Sequence, residues 1–512
     1  MIRRPAASAP VWTLRSPHRG TVQDLMRKHD VPELVAILLA NRGYSPGEAV
    51  SAHMAPDLRK LHDPFLLPNM REATRVLRKS VEDGETILIH GDYDVDGVTG
   101  TVLLVRLLRL FGADVHWHIP DRFKDGYSFG DHSIERAKAE GAKLVISVDN
   151  GTSAIEPIAQ LKAIGVKTIV TDHHEPPVSG LPEAVAIVNP KLRDSTYPFP
   201  ELCGGAVAFK LAWGFCQEMS DGDRVKPELR QFLVDSMGDV AIATVCDVVP
   251  LVDENRILAR HGLKALESSS RPGVKALLSA AGISNRALNA EDVSFQIGPR
   301  INASGRLATA ARAVEVLLSE DDAEAARLAA ELDTLNVKRR EIERDVLVEA
   351  EADAKLYQDA QRYPVIVVAG QGWHQGVVGI VAARLVDKYA RPALVIGLDG
   401  DMGRGSARSV PGFSVLAFMP RYGGHSQAAG CEVMSESIDD LREAICEEAR
   451  RILGGAGYPP PELAIDAAVP LTMIDQSLLN QVDRLQPYGQ LNESPVLLSR
   501  DVRLAEPARV IG

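Results

Sequence analysis

A repeated unit restricts the fold of this chain most: a short apolar strand, a polar loop that carries acidic or histidine residues, and then a helix-like segment. Strands of this kind are predicted at 86–90, 143–148 and 167–171. Alternating strands and helices indicate an α/β fold with a parallel sheet. Ligands of such sheets bind outside the carboxyl ends of the strands. The sequence therefore predicts a binding site at these three loops.

A second α/β region follows a long run of charged and Ala-rich residues that contains no Gly or Pro. Such a run predicts a long helix that connects two domains. A stretch rich in Gly and Pro at 454–461 predicts a linker. The predicted division is a disordered tail at 1–20, a helical N-terminal region at 21–80, a parallel-sheet α/β domain at 81–318, the connecting helix at 319–358, a second α/β domain at 359–455 and a C-terminal segment at 462–512.

Charge and cysteine content exclude several classes of protein. The chain has 57 Lys and Arg against 69 Asp and Glu, a net charge of −12, so any nucleic-acid binding must be local. Its five cysteines are scattered and form no C-x-x-C pair, which argues against a disulfide scaffold and a zinc ribbon. No apolar run is long enough for a membrane span, and the N-terminus does not resemble a signal peptide. We expect a cytoplasmic protein that does not bind membranes.

Three aspartates follow the first predicted strand at alternate positions: Asp92, Asp94 and Asp96. Alternate spacing can direct several carboxylates to one side, and only a cation offsets the cost of that crowding. A calcium loop of the EF-hand type begins in the same way. That loop needs a glutamate at its twelfth position, where this chain has Leu103. We therefore favour a different cation site.

Acidic and histidine residues also follow the other two strands. Asp149 comes directly after one of them, although a turn or a helix cap would explain that residue equally well. His173 and His174 are adjacent in a loop, so one can bind a metal while the other faces a substrate. Asp247 lies within an apolar segment, where an unpaired carboxylate would be costly. Such ligands suit manganese or magnesium, and several carboxylates suit two ions, so we infer a two-metal phosphoester hydrolase.

Several longer motifs occur in order along the chain. They are Asp172-His173-His174, Ile119–Tyr127, Leu202–Phe209, Ile297–Arg306 and Gly423–Gly430. With these motifs the sequence closely resembles the DHH phosphoesterases from about residue 35 to about residue 500, and within them a branch of bacterial exonucleases specific for single strands. The resemblance implies a parallel-sheet DHH domain and a DHH-associated α/β domain joined by a long helix.

The resemblance also implies a set of catalytic and metal-binding residues. Two divalent ions, manganese or magnesium, would be held by Asp94, Asp96, Asp149, His173 and Asp247. Asp149 would bridge the two ions, and His174 would face the scissile phosphate. His90 and Asp92 lie beside these ligands, and we include both in the metal set. Asp92 would either support the cluster from behind or complete the ligands of one ion.

Substrate binding is expected from two further regions. Arginines among glycines and serines supply charge-assisted donors to phosphate, although most glycine-rich loops are ordinary turns. The expected contacts are Arg122, Arg300, Asn302, Arg306, His374, Arg404, Ser406, Arg408, Gly423, Gly424 and His425. Lys124 would extend the positive track, and a solvated loop with surface ion pairs is the alternative for the loop at 298–306. Trp117, Trp373, Tyr127 and Phe129 are candidates for stacking bases, but we expect most aromatic residues in the core.

The C-terminal segment departs from the family pattern. Relatives carry an oligonucleotide-binding barrel whose first motif reads L-x-P-F-G-x-G-N-P, and the matching stretch at 485–495 is longer and has Leu491 where a glycine is expected. About 50 residues after the linker are too few for a complete five-stranded barrel. We therefore expect a truncated or degenerate barrel.

The function implied by this resemblance is a metal-dependent exodeoxyribonuclease that degrades single-stranded DNA from the 5′ end and releases 5′-mononucleotides in DNA repair and recombination. A smaller-substrate DHH phosphodiesterase, acting on short oligoribonucleotides or nucleotide phosphates, is the alternative enzyme. A non-catalytic DNA-replication subunit of the same fold is a third reading, which missing metal ligands would mark. The resemblance also implies a monomer whose partners are single-stranded DNA, a single-strand-binding protein and a helicase.

Overall fold

The computed structural model describes the chain in two compact units. The described residues are 10–122, 124–125, 129–220, 224–414, 423–425, 428–503 and 505–507, with the backbone alone for 423–425. The larger unit consists of residues 15–336 and 466–512, and the smaller unit consists of 1–14 and 337–465. The division falls within a single helix, which runs from one unit into the other.

The N-terminal region is ordered further toward the terminus than the sequence predicted. Its elements are β1 (Val11–Leu14), α1 (Arg19–His29), α2 (Glu33–Asn41), α3 (Glu48–Met54) and α4 (Met70–Glu82). The disordered tail predicted for 1–20 is therefore wrong for β1 and the start of α1, and residues 1–9 lie outside the described part. β1 pairs in parallel with residues 462–465, a partner that local composition cannot reveal.

A five-stranded parallel sheet forms the centre of the larger unit. Its elements are β2 (Ile87–Gly91), α5 (Val95–Leu110), β3 (Val115–His118), α6 (Asp131–Ala139), β4 (Leu144–Val148), α7 (Ile155–Ala163), β5 (Lys167–Thr171) and β6 (Ala186–Val188). The strand order is β3-β2-β4-β5-β6, and every pair is parallel. This confirms the predicted parallel sheet, and β2 and β4 are buried along their whole length.

Helices follow the sheet along the chain. They are α8 (Gly204–Glu218), α9 (Pro227–Cys246), α10 (Asp253–Glu267), α11 (Pro272–Ala280), α12 (Ala290–Asp292), α13 (Gly298–Leu307), α14 (Ala311–Leu318) and α15 (Asp322–Ala354). Helices α8 and α9 pack against α5, and α8 also packs on β4 and β5. The 33-residue α15 lies where the connecting helix was predicted.

The segment 298–306 was predicted as a loop, and this prediction is wrong, because the segment belongs to α13. Its proline is Pro299, which directly follows a π-helical turn at Val293–Ile297. Its glycines permit close packing: a Cβ at Gly298 would lie 2.5 Å from Cys246 Sγ, and one at Gly305 would lie 2.9 Å from the Tyr93 carbonyl oxygen. Glycine here marks contact between helices and not a turn.

The smaller unit is a mixed α/β structure. Its remaining elements are β7 (Ile366–Gln371), α16 (Gln375–Tyr389), β8 (Ala393–Asp399), β9 (Met402–Arg408), β10 (Gly423–His425), β11 (Ala428–Met434), α17 (Ile438–Leu453) and β12 (Glu462–Ile465). One sheet has the order β10-β11-β9-β8-β7, in which only β7 and β8 are parallel. The strand pair β1–β12 belongs to the same unit.

The C-terminal segment packs against the N-terminal helices of the larger unit. It contains β13 (Ala467–Ala468), α18 (Gln476–Val482) and β14 (Leu497–Leu498), and β13 pairs with β14 in parallel. Leu485 is fully buried in one apolar cluster with Leu25 and Leu38. The buried Arg256 of α10 donates hydrogen bonds to the carbonyl oxygens of His53 (2.7 Å) and Gln486 (2.8 Å). One guanidinium therefore joins three separate parts of the sequence.

The helices and the cysteines bear on whether the chain has a membrane span or disulfide bonds. None of the described helices combines the length and the apolar character needed to cross a bilayer. All five cysteines are free, and three of them are buried.

A buried ion pair anchors α8 to α10. Lys210 Nζ lies 2.5 Å from Glu254 Oε1, and both side chains are fully buried. Glu254 also accepts hydrogen bonds from the Tyr197 hydroxyl and from the His62 backbone N–H. Removing the Lys210 ammonium group leaves the buried Glu254 carboxylate without its compensating charge, which costs much more free energy than losing an ion pair on the surface.

We predict that Lys210→Met lowers the free energy of unfolding by about 3–5 kcal/mol. Urea denaturation followed by circular dichroism measures the change. Lys60→Met is the matched control, because Lys60 pairs with Glu48 on the surface, and we expect it to leave the unfolding midpoint unchanged. Equal midpoints for Lys210→Met and the wild type would contradict the role of the pair.

Candidate active site

The loops after β2, β4 and β5 bring acidic and histidine side chains together, as the sequence predicted. Three sets of potential metal ligands overlap there, each with its ligand atoms within 4.8 Å of one another. The sets are Asp92, Asp94 and Asp149; Asp149, His173 and His174; and Asp96, His173 and Asp247. We call the residues Asp92, Asp94, Asp96, Asp149, His173 and Asp247 the carboxylate centre.

The N-terminus of α5 fixes two of these aspartates. Asp94 caps the helix, and its Oδ1 accepts the backbone N–H groups of Asp96 (2.9 Å) and Gly97 (3.2 Å). Asp96 lies in the first turn and is 1% exposed. Its two carboxylate oxygens accept the N–H groups of Gly204 (2.7 Å) and Gly205 (2.5 Å) at the start of α8. Two helix N-termini therefore hold this carboxylate pair.

Asp149 occupies the middle of the centre. It has a left-handed backbone (φ 62°), which is strained for a residue with a side chain. Its Oδ1 lies 3.2 Å from His173 Nε2. A Cβ at Gly204 would lie 2.5 Å from Asp149 Cβ, so only glycine lets α8 come this close.

Asp247 enters the centre from the opposite direction, at the C-terminal end of α9. Its Oδ2 lies 3.7 Å from His173 Nε2, and Asp96 Oδ2 lies 3.9 Å from the same nitrogen. The next residue, Val248, is 63% exposed and has φ 58°, a conformation that β-branched residues rarely adopt. Asp247 itself keeps a helical backbone (φ −77°, ψ −3°) as the C-terminal cap of α9.

Burial and mutual repulsion disfavour the charged forms of these carboxylates. Burial, followed by the neighbouring Asp94, raises the pKa of Asp96 to about 7 and that of Asp92 to about 8. Burial and Asp96 raise the pKa of Asp247 to about 8 and that of Asp149 well above its ordinary value. Among the described residues, Oδ1 of Asp92 and Oδ1 of Asp149 are buried and have no hydrogen-bond donor. These residues therefore fit divalent cations, which would supply the missing positive charge.

Asp172 is a functional residue that the sequence analysis left out of the site. Its Oδ1 accepts the N–H groups of His173 (2.8 Å) and His174 (3.1 Å), and it lies 2.8 Å from His174 Nδ1. Burial acts to raise the pKa of Asp172, but hydrogen bonds from His174 and Thr152 outweigh it and hold that pKa below its ordinary value. The first residue of the D-H-H motif thus positions the two histidines.

The two histidines differ in charge. The hydrogen bond to Asp172 raises the pKa of His174 to about 9, which favours its cationic form. Burial lowers the pKa of His173 to about 3, which keeps that ring neutral and able to bind a metal. His174 is half exposed at the edge of the centre. The division between His173 as a metal ligand and His174 as a group that faces the substrate stays a prediction.

His90 does not join the carboxylate centre, contrary to its predicted place in the metal set. Side chains alternate along a strand, and His90 lies on the face of β2 that carries Leu88. Its ring packs on Phe129 at 4.3 Å between centroids, and its Nε2 lies 2.8 Å from Ser133 Oγ. His118 and His132 are its histidine neighbours.

Two predicted phosphate contacts lie beside the loop of the carboxylate centre, and a third does not. The Arg122 guanidinium lies 5.2 Å from the centre of the Tyr93 ring, and Arg306 follows Gly305, which packs on the Tyr93 carbonyl. Asn302 lies in α13 and is half-buried. Arg300 is 8% exposed, donates to the Gln296 carbonyl and pairs with Asp333 at 2.9 Å. The predicted contact of Arg300 with substrate is therefore wrong, because its donors stabilise helix packing.

In the smaller unit, three predicted contacts share one face of β9. Strand alternation buries Gly403, Gly405 and Ala407 and leaves Arg404, Ser406 and Arg408 on the more exposed side. Helix α16 packs on β9, and His374 caps its N-terminus by accepting the Gly376 N–H at 3.0 Å.

Glycine permits the close packing on this face. A Cβ at Gly379 would lie 2.9 Å from Ser406 Oγ and 3.0 Å from an Arg408 nitrogen. Arg404 Nε donates to Glu432 at 3.0 Å, and its Nη1 donates to Gln375 at 3.2 Å. The structure thus groups His374 with Arg404, Ser406 and Arg408.

The remaining predicted contacts have different outcomes. Gly423, Gly424 and His425 form β10, and their side chains lie outside the described part of the structure. Trp373 and Phe129 are buried in the core, so these two rings are not available to stack bases. Trp117 is half-buried against two apolar clusters, and Tyr127 lies outside the described residues.

Sequence reasoning missed the N–H groups of Gly204 and Gly205 and the exposed ring of Phe295. The Leu202–Phe209 motif contains both glycines, and an analysis of that motif as a helix start would have revealed the donors. Phe295 is 70% exposed, in a helical turn that packs against α9. Local sequence gives no signal for the exposure of Phe295.

Comparisons with known families match three parts of the chain. Residues 86–236 match the DHH family N-terminal domain, residues 362–451 match the DHHA1 domain, and residues 465–512 match the RecJ OB domain. The first two matches lie within the two α/β domains predicted from the sequence. The predicted domain boundaries themselves stay predictions.

Named relatives cover almost the whole chain. The single-stranded-DNA-specific exonuclease RecJ of Bacillus subtilis is 38% identical over 99% of this chain and 63% of that protein. The protein of the same name from Salmonella typhimurium is 34% identical over 92% of this chain and 84% of that protein. The chain thus spans somewhat less than two thirds of the length of the Bacillus relative.

Solved structures show the same likeness. A crystal structure of RecJ in complex with Mn²⁺ from Thermus thermophilus has a TM-score of 0.78 and 31% identity, and it covers 97% of this chain and 71% of that chain. An exonuclease RecJ bound to manganese has a TM-score of 0.65 and 33% identity, over 79% of this chain and 98% of that chain.

A parallel sheet with aspartates and a D-H-H motif at its strand ends, followed by a DHHA1 domain, defines a DHH phosphoesterase. Within that class, the relatives named RecJ are 34–36% identical to this chain over three quarters or more of their own length, which is enough to assign the family. The chain belongs to the RecJ exonuclease family.

We predict that Gly204→Ala weakens Mn²⁺ binding by about tenfold or more while the fold is retained, because the new methyl group would displace Asp149. Titration of Mn²⁺ followed by electron paramagnetic resonance measures the affinity. Gly214→Ala on the same helix is the matched control, since its Cβ would meet the Thr74 side chain at 3.1 Å, away from the centre. Equal affinities for the two variants would contradict the proposed contact.

Proposed function

We propose that the chain is an exonuclease that degrades single-stranded DNA from the 5′ end and releases 5′-mononucleotides, using two divalent ions, manganese or magnesium. The observation that carries the proposal is the carboxylate centre, which joins the ends of three neighbouring parallel strands to the end of α9. The names of the relatives and the Mn²⁺ and Mg²⁺ complexes of Thermus RecJ support the substrate and the cofactors.

The chemistry divides between the cofactors and the residues of the chain. When bound, two divalent ions activate a water molecule and stabilise the leaving oxygen. The ligands proposed for them are Asp92, Asp94, Asp96, Asp149, His173 and Asp247. His174 supplies a positioned donor: Asp172 holds its Nδ1, and the half-exposed ring would offer its other nitrogen to a phosphate oxygen.

Basic side chains offer local contacts for an acidic protein that binds a polyanion. Arg122 lies over the Tyr93 ring, and Arg306 follows Gly305, which packs on the Tyr93 carbonyl. The neighbours of Tyr93, Asp92 and Asp94, are part of the carboxylate centre. The face of β9 with Arg404 and Arg408 supplies further donors to phosphate.

Neither alternative function is favoured, because the relatives cover most of the chain and every proposed metal ligand is present.

We extend the proposal to the oligomeric state, the compartment and the partners of the enzyme. A monomer in the cytoplasm, which acts in DNA repair and recombination with a single-strand-binding protein and a helicase, fits the family and the five free cysteines. Size-exclusion chromatography with light scattering tests whether the protein is a monomer in solution. A stable dimer at micromolar concentration would contradict it.

We predict that Asp149→Ala abolishes hydrolysis and leaves the fold intact. The assay uses single-stranded DNA and RNA labelled at either end, with Mn²⁺ and Mg²⁺ compared, and the wild type should release mononucleotides from the 5′ end of DNA. Asp387→Ala, an exposed aspartate of α16, is the control and should keep full activity. A rate for Asp149→Ala of a tenth or more of the wild-type rate with Mn²⁺ would refute the assignment.

We predict that Arg408→Ala weakens single-strand binding and lowers the log–log salt slope by roughly 0.7, the value for one lost phosphate contact. Fluorescence anisotropy at several salt concentrations, in the presence of Ca²⁺ to prevent cleavage, measures both quantities. Arg344→Ala is the matched control, because Arg344 is exposed on α15 and pairs with the adjacent Asp345. An unchanged slope for Arg408→Ala would remove Arg408 from the substrate contacts.

A further inference from the structure

Three histidines form a second cluster, distinct from the carboxylate centre. They are His90 on β2, His118 at the end of β3 and His132 in the first turn of α6. One nitrogen of each ring lies within 4.8 Å of one nitrogen of each other ring. His118 Nε2 and His132 Nδ1 are 3.2 Å apart. We call these residues the histidine cluster.

The three rings are withdrawn from solvent to different extents. His90 is fully buried, and His118 and His132 are half-buried. A neutral imidazole has a free lone pair on one nitrogen, which is the form that binds metals.

Hydrogen bonds within the protein satisfy only part of the cluster. Ser133 Oγ lies 2.8 Å from His90 Nε2 and 3.5 Å from His132 Nδ1, and it also accepts the Gly130 N–H at 3.0 Å. Among the described residues, His90 Nδ1 and His132 Nε2 are buried and have no partner. The ring nitrogens that face each other, His118 Nε2 and His132 Nδ1, are the ones placed to share an ion.

We propose that His90, His118 and His132 bind a divalent cation of the zinc type, separate from the ions of the carboxylate centre. Imidazole ligands without carboxylates favour zinc over magnesium or manganese. Zinc bonds to nitrogen of about 2.0–2.1 Å place tetrahedral ligands about 3.3 Å apart, close to the separation of His118 and His132. The site leaves a fourth position for water or for Ser133.

The position of the cluster indicates a structural role for the cation. His118 and His132 flank a segment of the chain that carries Arg122 and Lys124, and His90 lies on the neighbouring strand. A bound ion would join both ends of the segment to β2.

Zinc stoichiometry tests the proposal on the full-length protein. The carboxylate centre is first saturated with excess Mn²⁺, and bound zinc is then measured by equilibrium dialysis and mass spectrometry. We expect one zinc per chain for the wild type and for His116→Gln, a control on the same strand whose ring faces Asp114 and Glu140. His118→Gln and His132→Gln should each lose that zinc. The same zinc content in all four proteins would overturn the proposal.

A spectroscopic measurement on the wild type tests whether zinc binds to the three histidines, even where a glutamine variant does not fold. Zinc X-ray absorption should show scattering from three imidazoles in the Mn²⁺-saturated protein. The carboxylate centre contains His173 as its neutral imidazole, so zinc bound there would show at most the signal of His173 and His174. A spectrum with two imidazoles or fewer would overturn the proposal.

Discussion

The crowding of buried carboxylates at the strand ends is the constraint on which the larger unit depends. A single atom, His173 Nε2, lies within 3.9 Å of oxygens from Asp96, Asp149 and Asp247. Two unit charges 4 Å apart at an effective dielectric constant of 20 interact by about 4 kcal/mol, so three charged carboxylates without a cation would repel one another by several times that energy. The fold can keep these side chains together at neutral pH only with cations or protons.

The elements around the centre offset part of this repulsion through fixed dipoles. The N-termini of α5 and α8 meet at Asp96 and supply four N–H groups to Asp94 and Asp96. This meeting requires a residue without a side chain at Gly204, because a Cβ there would overlap Asp149. The glycine pair at the start of α8 is therefore as much a requirement of the site as the aspartates are.

The sequence predicted the parts of the site that follow from strand ends and missed the parts that follow from long-range packing. Asp149 and His173 were predictable because the carboxyl ends of parallel strands meet at one edge of a sheet. His90 was misplaced because the predicted strand showed its position but not which face of β2 contacts Phe129. Arg300 was misread because glycine and proline indicate a loop, whereas here they permit a tightly packed helix. The partner of β1 lies some 450 residues away along the chain, beyond any local pattern.

Strand β2 is shared by both clusters of potential ligands. Its loop enters the carboxylate centre, and its buried His90 belongs to the histidine cluster. The strand is paired on both sides and buried along its length, so it has no second arrangement into which it could shift. Coupling between two sites requires an element with two discrete states. Occupancy of the histidine cluster should therefore leave the aspartates in place, and the two clusters should bind their ions independently of each other.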